Sequence, residues 1–167
     1  MKIDNKKICL NLGCGTQHFT GSWINIDIEP LKKPDLLLDI TKGLPYEDDS
    51  IDEIYTSHVF EHLTLEDMVK VIKECKRVLK KGCFITIVVP DFLVSLKMYN
   101  EKRMSRKILN LVVYGDEPNK LNMHKQILDE DYLIGILKEH FDTVQKIDFS
   151  IHQRTVNNFQ IVLRCIK

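Results

Sequence analysis

Short apolar runs alternate with stretches of helical periodicity along this chain, the pattern of a parallel sheet with crossover helices. The first run, residues 8–12, stops at Gly13-Cys14-Gly15. A second, WINIDI at 23–28, carries Asp27 near its end, and a third, DLLLDI at 35–40, closes on Asp39-Ile40. The turn GLPYEDDS then leads into IDEIYTS, a fourth strand that arrives at His58. A fifth strand is expected over 83–89, running into Pro90-Asp91, and two more over 143–150 and 158–166 around the loop HQRTVNN. A terminal hairpin added to a parallel sheet makes the sheet mixed.

The clearest helix follows His62. Thr64 can cap it with Asp67 answering as in a capping box, and Leu65, Met68, Val69, Ile72, Cys75 and Leu79 recur on one face. Lys80 and Lys81 are placed in its last turn, with Gly82 as the stop. Residues 92–127 suggest one or two helices broken at GDEPN. Asp129 is placed to cap a short helix that buries Leu133, Ile136, Leu137 and Phe141.

Length and charge narrow the class. A chain of 167 residues is expected to form one domain. Within it, 8–91 would be a ligand-binding core, 92–128 a substrate-facing or lid segment, and 129–167 the last helix and terminal hairpin. The 24 basic and 24 acidic side chains cancel, which lends no support to a nucleic-acid binder. The charges are segregated. Acidic residues dominate 27–67, while 97–125 is basic, with Lys97, Lys102, Arg103, Arg106 and Lys107 at its front. Solvated faces and an anionic-substrate face are both consistent with this. Five cysteines with no C-x-x-C pair, no signal-peptide core in MKIDNKKICL and no membrane-length apolar run lead us to expect a cytoplasmic protein with reduced thiols.

A strand, a glycine-flanked turn and a second strand ending in an acid is an arrangement suited to a nucleoside. Glycines admit a ligand to the backbone, and a carboxylate accepts from vicinal ribose hydroxyls. Gly13, Gly15 and Asp27 fill these roles. Asp39 and Ser57-His58 end the next two strands, so polar groups gather at one sheet edge. The segments LNLGCG, GSWINIDI, LLLDITKGLPYEDDSIDEIYTSHVFEHL and LKKGCFITIVVPD resemble the class I S-adenosylmethionine-dependent methyltransferases, particularly a small group with a shortened link between the first two strands. NMHKQILDEDYLIGILKEHF resembles them more loosely.

The resemblance implies a Rossmann-like α/β fold: a mostly parallel seven-stranded sheet, a C-terminal antiparallel hairpin and a reduced first helix. It implies S-adenosylmethionine as cofactor and S-adenosylhomocysteine as product. Gly13, Cys14 and Gly15 would wrap the methionine end, and Asp27 with Ile28 would take the ribose. Asp39 and Ile40 would meet the adenine, Ser57 and His58 the sulfonium, and His62 would brace the loop behind them. For a base, the candidates are His58, Asp91 and His124. The acceptor is expected to be a small molecule, sugar or glycan, because SHVF stands where amino-group methylases of nucleic acids and proteins carry an asparagine-proline-proline-aromatic signature, and the basic residues of 97–107 fit an anionic one. With only seven residues ahead of the first strand, a lid would come from 92–128, from a second copy or from a partner protein.

Two other readings are open. One is a non-catalytic cofactor-binding subunit. The other is a zinc hydrolase, since HVFEH at 58–62 matches H-x-x-E-H. That pattern must lie inside a helix to hold a metal between its histidines, whereas strand character precedes it here and the helix starts after it. No metal is therefore expected.

Overall fold

The computed structural model describes residues 7–116, 120–147 and 159–167. Its strands are β1 (Cys9–Leu12), β2 (Trp23–Asp27), β3 (Leu36–Leu37), β4 (Ile51–Ser57), β5 (Leu79–Pro90), β6 (Thr143–Lys146) and β7 (Gln160–Ile166). The α-helices are α1 (Leu65–Val78), α2 (Phe92–Asn100), α3 (Arg106–Tyr114) and α4 (Glu130–Lys138). One sheet runs in the order β3-β2-β1-β4-β5-β7-β6, with β7 antiparallel to both β5 and β6 and every other pair parallel. This is the expected mixed sheet with a terminal antiparallel pair. The loop HQRTVNN expected between the last two strands lies outside the described residues.

The strands legible as apolar runs are those the sheet buries on both faces. All four residues of β1 are buried. Leu10, Leu12, Ile26, Ile54, Ile85, Ile87 and Leu163 point to one face and meet Met68, Val71, Ile72, Cys75 and Val78 of α1 with Leu133 and Leu137 of α4. Helix α1 starts as expected, with Thr64 Oγ1 accepting from Asp67 N at 3.1 Å. Leu65, however, is half exposed, and Val71 takes a buried position instead.

Three elements depart from the sequence reading. The third strand shrinks to two residues, because Asp39 leaves the ladder and caps a single 3-10 turn over Ile40–Lys42, accepting from Thr41 N and Thr41 Oγ1. Gly82 does not stop α1. The helix ends at Val78, and Leu79 enters the sheet at once. The register jumps from Ile51↔Leu79 to Glu53↔Phe84, so residues 80–83 form a bulge in which Gly82 takes φ +75°. Lys80 therefore sits in a strand, paired with Asp52 at 2.8 Å, and the cations in the last turn of α1 are Lys76 and Arg77.

Ten residues link the parallel strands β1 and β2 with no helix. Buried asparagines hold this link. Asn25 Oδ1 accepts from Asn11 Nδ2 at 3.0 Å and from Phe19 N at 2.8 Å, while its Nδ2 donates to Phe19 O and Asp35 Oδ2. Asn11 Nδ2 also donates to Gln17 O at 2.8 Å. Asn25, Asn11 and Tyr55 occupy one register row, on the face opposite α1. Phe19 packs there, 4.8 Å from the Trp23 ring and 5.2 Å from Tyr55. Two amide side chains and an aromatic thus occupy the place of a crossover helix.

Asn25→Ala removes the amide that pairs with Phe19 N, Phe19 O and Asn11 Nδ2 in a largely buried setting, where each such loss costs about 1–3 kcal/mol. We expect a total loss of about 3 kcal/mol or more, read as a lower midpoint in urea at unchanged slope.

Candidate active site

The order of the sheet reverses between β1 and β4, so the chain leaves their carboxyl ends in opposite directions and opens a crevice there. A cavity of about 460 Å³ fills it, lined by the turn after β1, the ends of β2 and β3, the His58 loop, and Leu121, Asn122 and Lys125 from beyond α3. That volume is in the range of small-molecule sites.

The Asp27 carboxylate is fixed at both ends by main-chain donors. Oδ2 accepts from Gly15 N and Oδ1 from Glu29 N, each at 2.8 Å. Each oxygen keeps a further lone pair. The side chain is 8% exposed and borders the cavity, so a ligand hydroxyl would find an oriented carboxylate with little competition from water.

The two glycines do different work. Gly15 takes φ +53°, and a Cβ there would meet nothing within 4 Å, so its backbone lies open to a ligand. At Gly13, with φ +63°, a Cβ would stand 2.2 Å from Val59 Cγ2. That glycine is required by the HVFEH loop packing onto the β1 turn.

HVFEH itself is a loop ending in one 3-10 turn, Phe60–His62. His58 leaves β4 in the left-handed region at φ +57°, uncommon for a residue with a side chain. Its Nδ1 donates to Glu61 Oε1 at 3.1 Å, and its Nε2 accepts from Gln160 Nε2 at 2.6 Å. A buried carboxylate thus fixes the tautomer and aim of an imidazole at the cavity wall.

Among the described residues, four carboxylates (Asp27, Glu29, Asp39 and Asp67) and two ammonium groups (Lys32 and Lys125) border the cavity. The surplus of negative charge suits a cationic ligand. The acidic stretch of the sequence is, in part, the lining of this crevice.

Gly13, Gly15, Asp27, Ile28, Asp39, Ile40, His58 and His62 of the sequence-derived set border the cavity, whereas Cys14 and Ser57 do not. Cys14 is buried, and burial together with the nearby Asp27 and Asp35 pushes its thiol up to about 11, leaving a neutral packing group. Among the base candidates only His58 lines the cavity. Asp91 is buried and caps α2 through Val94 N at 3.0 Å. His124 is half-buried beside His62, its ring 4.8 Å away, and burial lowers its pKa. The basic residues of 97–107 do not border the cavity. Sequence reasoning missed Val59, Glu61 and Gln160. Glu61 stood inside the quoted motif, while Gln160 comes from the far end of the chain with no local signal.

The close approach at Gly13 gives a coupling that can be measured. Gly13→Ala combines a left-handed strain of about 1–2 kcal/mol with the Val59 clash, so it should lower stability more than Gly15→Ala, which bears the strain alone. Val59→Ala should recover the clash part in the double variant, read by thermal denaturation of the four chains of a double-mutant cycle.

Residues 10–87 match the family model described as a methyltransferase domain. No curated protein matches the sequence. Among solved structures, a SAM-dependent methyltransferase from Archaeoglobus fulgidus is 17% identical, with a TM-score of 0.64 over 96% of this chain and 86% of that one. One from Methanosarcina mazei is 19% identical, with a TM-score of 0.63 over 99% and 94%. A chain from the Haloferax volcanii complex between the Trm112 methyltransferase activator and a methyltransferase is 12% identical, with a TM-score of 0.61 over 99% and 84%. At such identities the structures share the fold, and the family match joins that fold to a glycine turn, a strand-end acid and a crevice at the sheet reversal. By sequence motif over residues 10–87 and by architecture, the chain is similar to the class I S-adenosylmethionine-dependent methyltransferases.

Proposed function

We propose that this chain transfers a methyl group from S-adenosylmethionine to a small-molecule, sugar or glycan acceptor, in the crevice between β1 and β4. The observation that carries the cofactor assignment is the Asp27 carboxylate, buried, pinned by Gly15 N and Glu29 N, and open to the cavity. In this reading Asp27 takes the ribose hydroxyls with Ile28 alongside. Asp39, whose Oδ1 already holds the Thr41 turn, accepts from the adenine amino group beside Ile40. The Gly13–Gly15 turn receives the methionine end, and His62 closes the wall behind His58. When bound, the cofactor supplies an activated methyl on a sulfonium.

The protein's share of the chemistry is alignment and, for a hydroxyl acceptor, proton removal. His58 fits the second task best of the three candidates, since it reaches the cavity and Glu61 orients it. Its Nε2 is held by Gln160, so an acceptor hydroxyl would take the place of that amide. Asp91 is committed to its helix.

Residues 120–128 would form a lid completed by a second chain. Leu121, Met123 and Ile127 expose apolar side chains around this wall of the cavity, and the similar Haloferax volcanii chain comes from a complex with an activator. The described residues contain no helix long and apolar enough to cross a membrane.

Calorimetric titration with S-adenosylhomocysteine should show one site per chain. Asp27→Asn keeps the shape and removes the charge. A charge-assisted bond is worth about 1.5–3 kcal/mol, so the variant should bind roughly ten- to a hundredfold more weakly. Equal binding by a folded variant would place the nucleoside elsewhere. His58→Gln should leave this affinity within about threefold while cutting methyl transfer to a hydroxyl acceptor by about 10²–10⁴.

A further inference from the structure

We propose that Glu61, His62 and His124 form a binding site for one divalent transition-metal ion, of the zinc or cobalt class, beside the cofactor crevice. One ligand atom from each lies within 4.8 Å of the others. Glu61 is 1% exposed and His62 and His124 are half-buried. This is a different set from the two histidines of the H-x-x-E-H pattern, because His58 turns away to bond Glu61 Oε1.

The hydrogen bonds around the cluster decide what it can hold. His62 Nδ1 lies 3.2 Å from Met123 O and His124 Nδ1 lies 2.9 Å from Val112 O. A carbonyl oxygen only accepts, so each Nδ1 carries the ring proton, and each Nε2 is left as a lone pair. Metal-bound histidines show the same arrangement, with the remote N–H spent on a carbonyl or carboxylate. Glu61 Oε1 is satisfied by His58, while Glu61 Oε2 is buried with no hydrogen-bond partner among the described residues. A buried carboxylate oxygen without a donor is costly. Two lone-pair nitrogens beside it cannot relieve that cost, but a cation can.

Backbone contacts bring the ligands together from 62 residues apart. Glu61 O accepts from Lys125 N at 2.8 Å and from Gln126 N at 3.2 Å, and Gln126 Nε2 donates to Leu63 O at 2.9 Å. The segment bearing His124 is thereby tied to the 3-10 turn bearing Glu61 and His62. Ligands about 2.0–2.2 Å from a tetrahedral zinc stand roughly 3.4 Å apart, so the cluster closes by at most about 1.5 Å on binding. Two imidazoles and one carboxylate favour zinc or cobalt over magnesium or calcium. Three protein ligands leave one position open, and His62 lies on the cavity wall, so an oxygen donor in the crevice could occupy that position.

The test uses the full chain stripped with chelator and titrated with Co²⁺ and then Zn²⁺. We expect one equivalent of Co²⁺ to give the visible absorption of a low-symmetry four-coordinate ion, and Zn²⁺ to displace it. His124→Ala and Glu61→Gln should each weaken Co²⁺ binding at least tenfold, with His62→Ala as the more exposed third variant. His140→Ala, outside the cluster, should bind as the parent does. Failure of the parent chain to take up one equivalent overturns the proposal however the variants fold, and would mean that the cluster holds only protons. Uptake unchanged in a folded His124→Ala chain overturns it too, and places the ion elsewhere. S-adenosylhomocysteine affinity, measured on the same stripped protein, reports separately on the cofactor reading.

Discussion

The constraint on which the rest depends is the ten-residue crossover from β1 to β2. A parallel connection ordinarily takes a dozen or more residues and spends most of them on a helix. Here the link has length only for a loop, and a loop crossing a sheet face leaves main-chain groups with nothing to bond. Asn11 and Asn25 supply those partners from inside the strands, Asp35 holds Asn25 from just ahead of β3, and Phe19 fills the apolar volume. The same shortness brings Gly15 back against the end of β2, where its N–H meets Asp27. The compact link and the oriented carboxylate are therefore one structure.

Three aspartates end or follow strands of this sheet, and the residue that comes next decides what each does. After Asp91 the chain turns into α2, so the carboxylate is taken by the first turn of a helix. After Asp39 the chain makes one 3-10 turn, which occupies one oxygen and leaves the residue on the cavity wall. After Asp27 no helix begins directly, and the donors are single N–H groups on either side of the crevice. Chemically alike residues at the ends of parallel strands thus divide into a cap, a mixed case and an open acceptor. Strand-end position alone did not separate them in the sequence, where Asp91 stood among the candidate bases.

Much of the fold was legible because the strands are buried on both faces and read as unbroken apolar runs. Helix starts were legible for a local reason: Thr64 and Asp129 bond N–H groups three residues ahead. What was hidden depends on partners distant in sequence. Gly82 reads as a helix stop until the pairing of β5 with β4 shows a bulge. Asn11 and Asn25 look like polar interruptions of apolar strands, and their value appears only when register sets them side by side. The site divides in the same way. The glycine turn and Asp27 lie within 15 residues of each other and could be named from spacing. Glu61, by contrast, acquires its meaning from His58 on one side and from residues 123–126 on the other.

HVFEH thus has several structural roles and no single motif assignment. Val59 fills the space that Gly13 leaves, and that contact fixes the loop against the β1 turn. With the loop fixed, His58 is held in a left-handed conformation that its own side chain disfavours, and its imidazole is aimed by Glu61. Phe60 is fully buried and anchors the turn in the core. A helical H-x-x-E-H would set both histidines on one face. The 3-10 turn sends His58 toward β7 and His62 toward the segment after α3, with Glu61 between them. The five residues therefore tie β7 to the wall of the crevice, with the Glu61 carboxylate between the two.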